Sequence, residues 1–127
     1  MEQTKMSKVI VNTAQNRLNI TMTGSISKEE MENLYADVLT CVPQLKPGFN
    51  VLNDISNCKI IHLDSAPTFQ RIMEFLINKN IGKIVRVVKT KTTFNQLSRI
   101  TENMKGGYMP IYLSTFEESE QFLSEPD

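Results

Sequence analysis

One short stretch of the chain holds most of the side chains that could do chemistry. Asp54, Cys58, His62 and Asp64 follow one another at intervals of two to four residues. Imidazole, thiolate and carboxylate groups bind zinc, but a structural zinc site needs four Cys or His ligands at a recognisable spacing. This stretch does not supply them, so the sequence predicts no metal site.

The same stretch could supply a nucleophile and a base. Cys41 or Cys58 could act as a thiolate nucleophile with His62 as its base. No nucleophile elbow or glycine-rich turn accompanies these residues. Gly106-Gly107 is predicted to follow a helix instead of opening one, which excludes the phosphate-loop and dinucleotide patterns. The sequence therefore predicts a protein that is not an enzyme and has no cofactor.

The composition is that of an ordinary globular chain. Its 127 residues are expected to form one domain, 1–127, in which 1–7 and 124–127 are loosely held. Met1–Lys8 lacks the apolar segment of a signal peptide, and no apolar run approaches the roughly 20 residues that span a bilayer. The two cysteines form no paired motif, which is typical of reduced thiols. We therefore predict a cytoplasmic protein with no membrane partner.

Charge is balanced overall but unevenly distributed. The 14 basic and 14 acidic residues cancel, so no net field attracts nucleic acid. The stretch 79–105 is basic apart from Glu102, while the stretch from Glu117 onward is acidic. Of the aromatic residues in or beside the basic stretch, Phe94 is expected in the core and Tyr108 lies just beyond it. We interpret the stretch as solvated helix faces and predict no nucleic-acid partner.

Side-chain periodicity predicts nine elements in the order ββαβαβαβα. From Arg17 to Thr23 apolar residues alternate with polar ones, which is typical of a strand with one buried face. Ser27 with Glu30 three residues later marks the start of a helix. Strands are predicted at 8–14, 17–23, 49–56, 83–89 and 110–114, and helices from Ser27, from Ser65 to Lys79 with Asn80 closing it, from Thr92 or Thr93, and from Thr115 with Glu118 as its capping partner. The stretch 57–63 fits either a loop or a short extra strand.

This order predicts an α/β fold with a mixed, mainly parallel sheet. Strands separated by helices of this length are parallel and joined by right-handed crossovers. If the strands lie in chain order, every crossover places its helix on the same face of the sheet. The other face is then partly bare, and it would offer a docking surface for another protein or for a second copy of the chain.

The topology and two short motifs resemble the STAS domains, the sulfate-transporter and anti-sigma-factor-antagonist family. The strand before the second helix ends in Asp54-Ile55-Ser56, and the helix opens with Asp64-Ser65-Ala66-Pro67. The resemblance implies a single-domain β-α superhelix that works as a protein-binding or regulatory module. In that family a hydroxyl residue at the position of Ala66 is phosphorylated by a partner kinase. Ala66 has no hydroxyl, so we predict a STAS-like module without the usual phospho-switch.

Two candidate surfaces follow from these motifs. The predicted interaction surface consists of Asp54, Ser56, Asp64 and Ser65. We expect Asp54 to accept amides of the loop 57–63, and Ser65 to be the helix N-cap that accepts the amide of Thr68, in preference to a phosphate site. The alternative is an anion or small-ligand site at the carboxyl ends of the strands, where Lys89, Thr90, Lys91, Thr92 and Thr93 precede a predicted helix start. There the simpler interpretation is that the threonines cap the helix and the lysines are solvated.

Overall fold

The computed structural model describes residues 7–102 and 110–125. Within them the elements follow the predicted order ββαβαβαβα. The strands are β1 (Lys8–Asn12), β2 (Arg17–Ile26), β3 (Asn50–Ile61), β4 (Ile84–Val87) and β5 (Ile111–Leu113), and the helices are α1 (Lys28–Cys41), α2 (Ala66–Asn78), α3 (Lys91–Glu102) and α4 (Phe116–Ser124). Two 3₁₀ turns, Val42–Gln44 and Leu63–Ser65, follow α1 and precede α2.

The five strands lie in one sheet in chain order, β1-β2-β3-β4-β5. Strand β1 is antiparallel to β2, and every other neighbouring pair is parallel. This confirms the predicted mixed, mainly parallel sheet. The three helices that join parallel neighbours, α1, α2 and α3, pack against the same face of the sheet and share one hydrophobic core with it. The prediction that the helices lie mostly on one face is therefore confirmed.

The alternation in β2 separates this core from the opposite face of the sheet. Leu18, Ile20 and Met22 are at most 4% exposed and point into the helix layer. Asn19 and Thr21 lie between them on the opposite face, because successive side chains of a strand alternate. The period of two in the sequence thus identifies the buried face of this strand correctly.

The fourth helix covers part of the opposite face. Leu52, Val85 and Val87 point away from the main core and pack with Leu123 of α4 in a second, smaller cluster. Helix α4 contacts β3, β4 and β5. Ile10, on the far strand β1, is 47% exposed. The bare face expected from the topology is thus confined to the β1 side of the sheet.

Strand β3 is longer than the predicted strand 49–56 and includes most of the stretch left open. It continues to Ile61 and stays paired with β2 along this extension, up to the pair Ile26 and Ile61. The register shifts between Thr21 and Thr23 and again between Gly24 and Ser25. Each shift gives β3 one more residue than β2, so β3 contains two bulges in the part that extends past the end of β4.

Several predicted element boundaries are confirmed. Ser27 Oγ accepts the Glu30 amide at 3.1 Å at the start of α1. Thr115 and Glu118 form a reciprocal capping box at the start of α4. Asn80 has a φ of 59°, which is the left-handed conformation expected after α2.

The predicted start of α3 is wrong. The helix begins at Lys91, so Thr92 and Thr93 lie inside its first turn and do not precede it as caps. Instead Thr90 caps it, because its Oγ1 accepts the Thr93 amide at 3.3 Å. Three threonines within four residues, Thr90, Thr92 and Thr93, leave the choice of cap open in the sequence, and β4, which ends at Val87, sets it.

Some predictions fall on residues that the structure does not describe. The predicted end of α3 before Gly106-Gly107 lies outside the described residues, as do 1–6 and 126–127 of the ends predicted to be loosely held. Among the described residues, no helix is long and apolar enough to cross a membrane.

Candidate interaction site

Ser65 lies at the start of α2, but it does not cap the helix in the predicted way. It is 0% exposed, and its hydroxyl donates to the His62 carbonyl at 2.6 Å. Its side chain makes no cap hydrogen bond, so the prediction that it accepts the Thr68 amide is wrong. The cause is the 3₁₀ turn, which gives Ser65 helical backbone angles, φ −91° and ψ −13°. A capping acceptor needs extended angles instead.

Asp54 makes local hydrogen bonds, but with a donor other than the predicted ones. Its Oδ1 accepts the Ser56 amide at 3.0 Å and the Ser56 hydroxyl at 2.6 Å. The expectation that amides of 57–63 would donate to it is wrong, because that stretch up to Ile61 remains paired with β2. Asp54 and Ser56 span the first bulge of β3, so the pair supports the local departure from regular strand geometry.

The four residues of the predicted interaction surface do not form one patch. Asp64 is exposed, Asp54 and Ser56 are half-buried, and Ser65 is buried. The extension of β3 from Asn57 to Ile61 separates the two motifs by roughly 16 Å, at about 3.3 Å per residue. An extended partner surface would be needed to contact both.

A groove of about 290 Å³ opens where β3 passes into α2, between α2 and α3. It is lined by Ile61, His62, Leu63, Ala66, Gln70, Gln96, Arg99 and Ile100. Leu63, in the turn at its edge, is 88% exposed. Isolated exposed leucines are common, but this one borders other apolar side chains, and such a patch is typical of a contact surface.

Gln96 of α3 holds the end of β3 in place beside the groove. Its Oε1 accepts the Ile61 amide at 2.9 Å, and its Nε2 donates to the Ile61 carbonyl at 2.9 Å. The side-chain amide thus takes the place of a neighbouring strand where β4 has already ended. This pairing positions the turn that carries Leu63.

The predicted anion-site residues lie at the carboxyl end of β4. Lys89, Lys91 and Thr92 are exposed, whereas Thr93 is 0% exposed. The hydroxyl groups of Thr90 and Thr93 are 3.0 Å apart and satisfy each other. Thr90 and Thr92 line a shallow depression of about 360 Å³ together with Ser56–Lys59. The structure therefore places Ser56 beside the predicted anion site and not beside Ser65.

Arg86 departs from the interpretation of the basic stretch as solvated. It is 0% exposed, and its Nη1 donates to the Tyr112 hydroxyl at 2.7 Å and to Thr101 Oγ1 at 2.9 Å. Its guanidinium also lies 5.2 Å from the Phe69 ring centre. Burial lowers the pKa of Arg86, and the neighbouring Tyr112 opposes that shift. Arg86 ties β4 to α3 and β5, and its side chain is not part of the solvated basic surface.

The cysteine and metal alternatives gain no support. Burial raises the pKa of the Cys58 thiol to about 11, so the thiolate that a nucleophile needs is scarce at neutral pH. Burial, and the Asp37 carboxylate to a lesser degree, also raise the pKa of Cys41. Within residues 7–102 and 110–125, no group of three His, Cys, Asp or Glu side chains could hold a metal ion.

Comparison with known proteins identifies the fold. No protein-family model and no curated protein matches the sequence. Among solved structures, the anti-sigma factor antagonist SpoIIAA in its unphosphorylated form matches with a TM-score of 0.59 at 11% identity, over 91% of this chain and 94% of that one. The chain has a SpoIIAA-like fold.

Two further structures agree with this assignment. An uncharacterized Shewanella loihica protein with a SpoIIAA-like fold matches with a TM-score of 0.67 at 12% identity, over 97% of this chain and 98% of its own. An anti-sigma factor antagonist from Mycobacterium paratuberculosis matches with a TM-score of 0.64 at 12% identity, over 94% of this chain and 95% of its own. These likenesses confirm the STAS-like fold that the motifs predicted.

Sequence reasoning missed the residues that form the groove. Leu63 carries one signal in the sequence, because it follows the apolar pair Ile60-Ile61 after His62 and so extends an apolar run into a polar turn. Gln96 and Arg99 carry none, since polar residues on an amphipathic helix are expected to face solvent. Their role depends on how α3 lies against the end of β3.

Proposed function

We propose that the chain is a non-enzymatic, single-domain protein-interaction module of regulatory type that works without a phospho-switch. Its partner contacts the groove between α2 and α3 through Leu63 and the exposed Asp64 beside it. The observation that carries this proposal is the 88% exposure of Leu63 at the edge of an apolar groove. Covering such a side chain removes apolar surface from water, which favours association.

The fold provides a second argument for the proposal. Two of the similar structures are anti-sigma factor antagonists, which are regulatory proteins. In this chain Ala66 stands at the position that the STAS resemblance assigns to the phosphoacceptor, and the neighbouring Ser65 is 0% exposed. A kinase would have to unfold the start of α2 to reach Ser65. We therefore propose that binding is not regulated by phosphate at this turn.

The test is a pull-down with the full chain from lysate of its own cells, with bound proteins quantified by mass spectrometry. Leu63→Ser is the test variant, and Ile10→Ser on β1 is the matched control, because Ile10 is also an exposed aliphatic side chain. We expect a defined protein to be captured by the wild type and by Ile10→Ser but not by Leu63→Ser. Capture that Ile10→Ser removes and Leu63→Ser keeps would assign the interface to the bare sheet face.

A second candidate function is anion or small-ligand binding at Lys89–Thr93. The observation in its favour is the depression that Thr90 and Thr92 share with Ser56–Lys59. Its test is thermal unfolding with added inorganic phosphate or sulfate. A rise in melting temperature that Lys91→Ala removes would support the site. No rise with either anion would leave the lysines as solvated side chains and exclude this candidate.

A further inference from the structure

A second groove lies at the opposite end of the molecule from the candidate interaction site. It has a volume of about 420 Å³ and lies between the C-terminal ends of α1 and α2. Helix α2 spans the distance between the two grooves, which is roughly 20 Å for its 13 residues. This second groove shares no lining residue with the first.

The lining of the second groove is apolar. Leu39 and Val42 line it on the α1 side, Phe75 on the α2 side, and Leu45 and Phe49 from the loop that leads into β3. Leu39 lines the second groove, and 41% of its surface is exposed to solvent. Apolar walls with a few polar groups at the edge are typical of binding grooves.

The loop that closes the groove is held rigidly in place. Asn16, in the turn between β1 and β2, binds Lys46 twice through its side chain: its Oδ1 accepts the Lys46 amide at 2.8 Å, and its Nδ2 donates to the Lys46 carbonyl at 3.2 Å. The Gly48 amide donates to the Asn80 carbonyl at 2.8 Å. Pro43 and Pro47 restrict the same loop further. The groove is therefore preformed, so little conformational entropy is lost in its walls when a ligand binds.

The charged side chains that line or close the second groove are basic. Of the described residues that line it, Lys79 is the charged one, and its ammonium lies 5.4 Å from the Phe75 ring centre. Lys46 is exposed in the closing loop. The segments 38–53 and 75–88 contain no aspartate or glutamate. Asp37 and Glu74, the nearest acids in sequence, are exposed and do not line the groove.

From this combination we infer that the second groove is a docking site for an acidic amphipathic peptide segment of another protein. Bulky apolar side chains of the segment fill the space between Leu39 and Phe75. Its carboxylates face Lys79 and Lys46, since opposite charges at a rim favour encounter and fix register. A second copy docking groove to groove would instead bring the same lysines together, because a two-fold contact pairs each surface with itself. This inference does not rest on the proposed function, which concerns the other end of the molecule.

The test begins with selection of displayed random 12-residue peptides on the full, immobilised chain. We expect the selected peptides to combine two bulky apolar residues with at least one Asp or Glu. The affinity of a synthetic selected peptide is then measured by fluorescence polarisation. Leu39→Ser and Lys79→Glu should each weaken binding about tenfold, as loss of an anchor or a rim charge does. Leu63→Ser, at the other groove, is the control and should leave the affinity unchanged.

A charge exchange between peptide and protein distinguishes specific docking from non-specific binding. A peptide in which Lys replaces each acid should bind Lys79→Glu more tightly than it binds the wild type. Sedimentation of the same proteins without peptide tests the second-copy alternative. The inference is overturned if no peptide is selected, or if selected peptides bind both Leu39→Ser and Lys79→Glu with wild-type affinity. It is also overturned if the wild type self-associates and Leu39→Ser makes it monomeric.

Discussion

At the scale of single residues, Ser65 lies beside Ala66, the position that the STAS resemblance assigns to the phosphoacceptor. The hydroxyl of Ser65 makes a structural hydrogen bond. Its hydroxyl is a donor to the His62 carbonyl at 2.6 Å, and the side chain has no contact with solvent. A phosphate or a carboxylate in its place could not donate this bond and would bury a charge. The geometry thus supports a structural role for Ser65 over a regulatory one.

The prediction for Ser65 compares two substitutions. Ser65→Ala should lower the free energy of unfolding by about 1 kcal/mol, because one hydrogen bond is lost. Ser65→Asp should lower it by about 3 kcal/mol or more, because a buried carboxylate is left without a donor. Urea unfolding measures both values. If Ser65→Asp unfolded within about 0.5 kcal/mol of the wild type, or if the serine were found phosphorylated in protein from its own cells, the structural role would be refuted.

Asp54 provides a test of whether a carboxylate acts as an acceptor or as a contact. Asp54→Ala removes the acceptor of both Ser56 bonds and should cost about 1–3 kcal/mol in urea unfolding. Asp54→Asn keeps an oxygen at the same position and should cost less than half as much. Equal losses in the two variants would mean that the charge of Asp54, and not its hydrogen bonds, matters to the fold.

At the scale of elements, one side chain of α3 supports the end of β3, which is also paired with β2. Gln96→Ala removes both bonds to Ile61, so we expect a loss of about 1–2 kcal/mol in the free energy of unfolding. Hydrogen exchange at the Ile61 amide should become faster. The exposed neighbour Asn95→Ala is the matched control and should change neither quantity. Unchanged exchange at Ile61 in Gln96→Ala would show that β3 holds its end without this support.

Helix α4 is attached to the sheet by an ion pair as well as by its small apolar cluster. Arg17 Nη1 lies 2.7 Å from Glu120 Oε1, with side-chain exposures of 3% and 37%. Glu120→Ala leaves a buried guanidinium unpaired, and we expect a cost of about 1–2 kcal/mol, between the values for surface and buried pairs. A double-mutant cycle with Arg17→Met measures the coupling. Additive effects of the two substitutions would mean that the pair does not hold α4, and Gln121→Ala serves as the control.

Elements were predictable where a local pattern was sufficient. The alternation in β2, the caps at Ser27 and Thr115 and the left-handed Asn80 depend on residues within a few positions of each other. The starts of two helices, α2 and α3, were not predictable from the local sequence. The cap of α3 depends on where β4 ends, and Ser65 is displaced by a 3₁₀ turn that follows from the extension of β3.

The candidate site was less predictable than the fold for the same reason. Its motif residues were found, but the extension of β3 to Ile61 places Asp54 and Ser56 away from Asp64. Gln96 and Arg86 look like solvated helix and strand residues in the sequence. Their partners, Ile61 and Tyr112, are 35 and 26 residues away along the chain. Contacts at such separations depend on the assembled sheet and not on local propensity.

At the scale of the whole molecule, the described residues form one broad layer of helices, α1 to α3, with a groove at each end of it. The groove at the end of β3 carries the exposed Leu63, and the groove at its start carries Lys79. Because the two share no lining residue, substitutions at one should leave binding at the other unchanged. We propose that the regulatory partner binds the groove at the end of β3.

The decisive measurement is the affinity of the captured partner, once purified, for three forms of the chain in calorimetric titration. We expect Leu63→Ser to weaken binding by at least about tenfold, as removal of an apolar anchor does, and Ile10→Ser to stay within about twofold of the wild type. Both variants should unfold like the wild type, because both side chains are exposed. Wild-type affinity in Leu63→Ser, together with lost binding in Ile10→Ser, would refute binding at the groove and place the partner on the β1 side of the sheet.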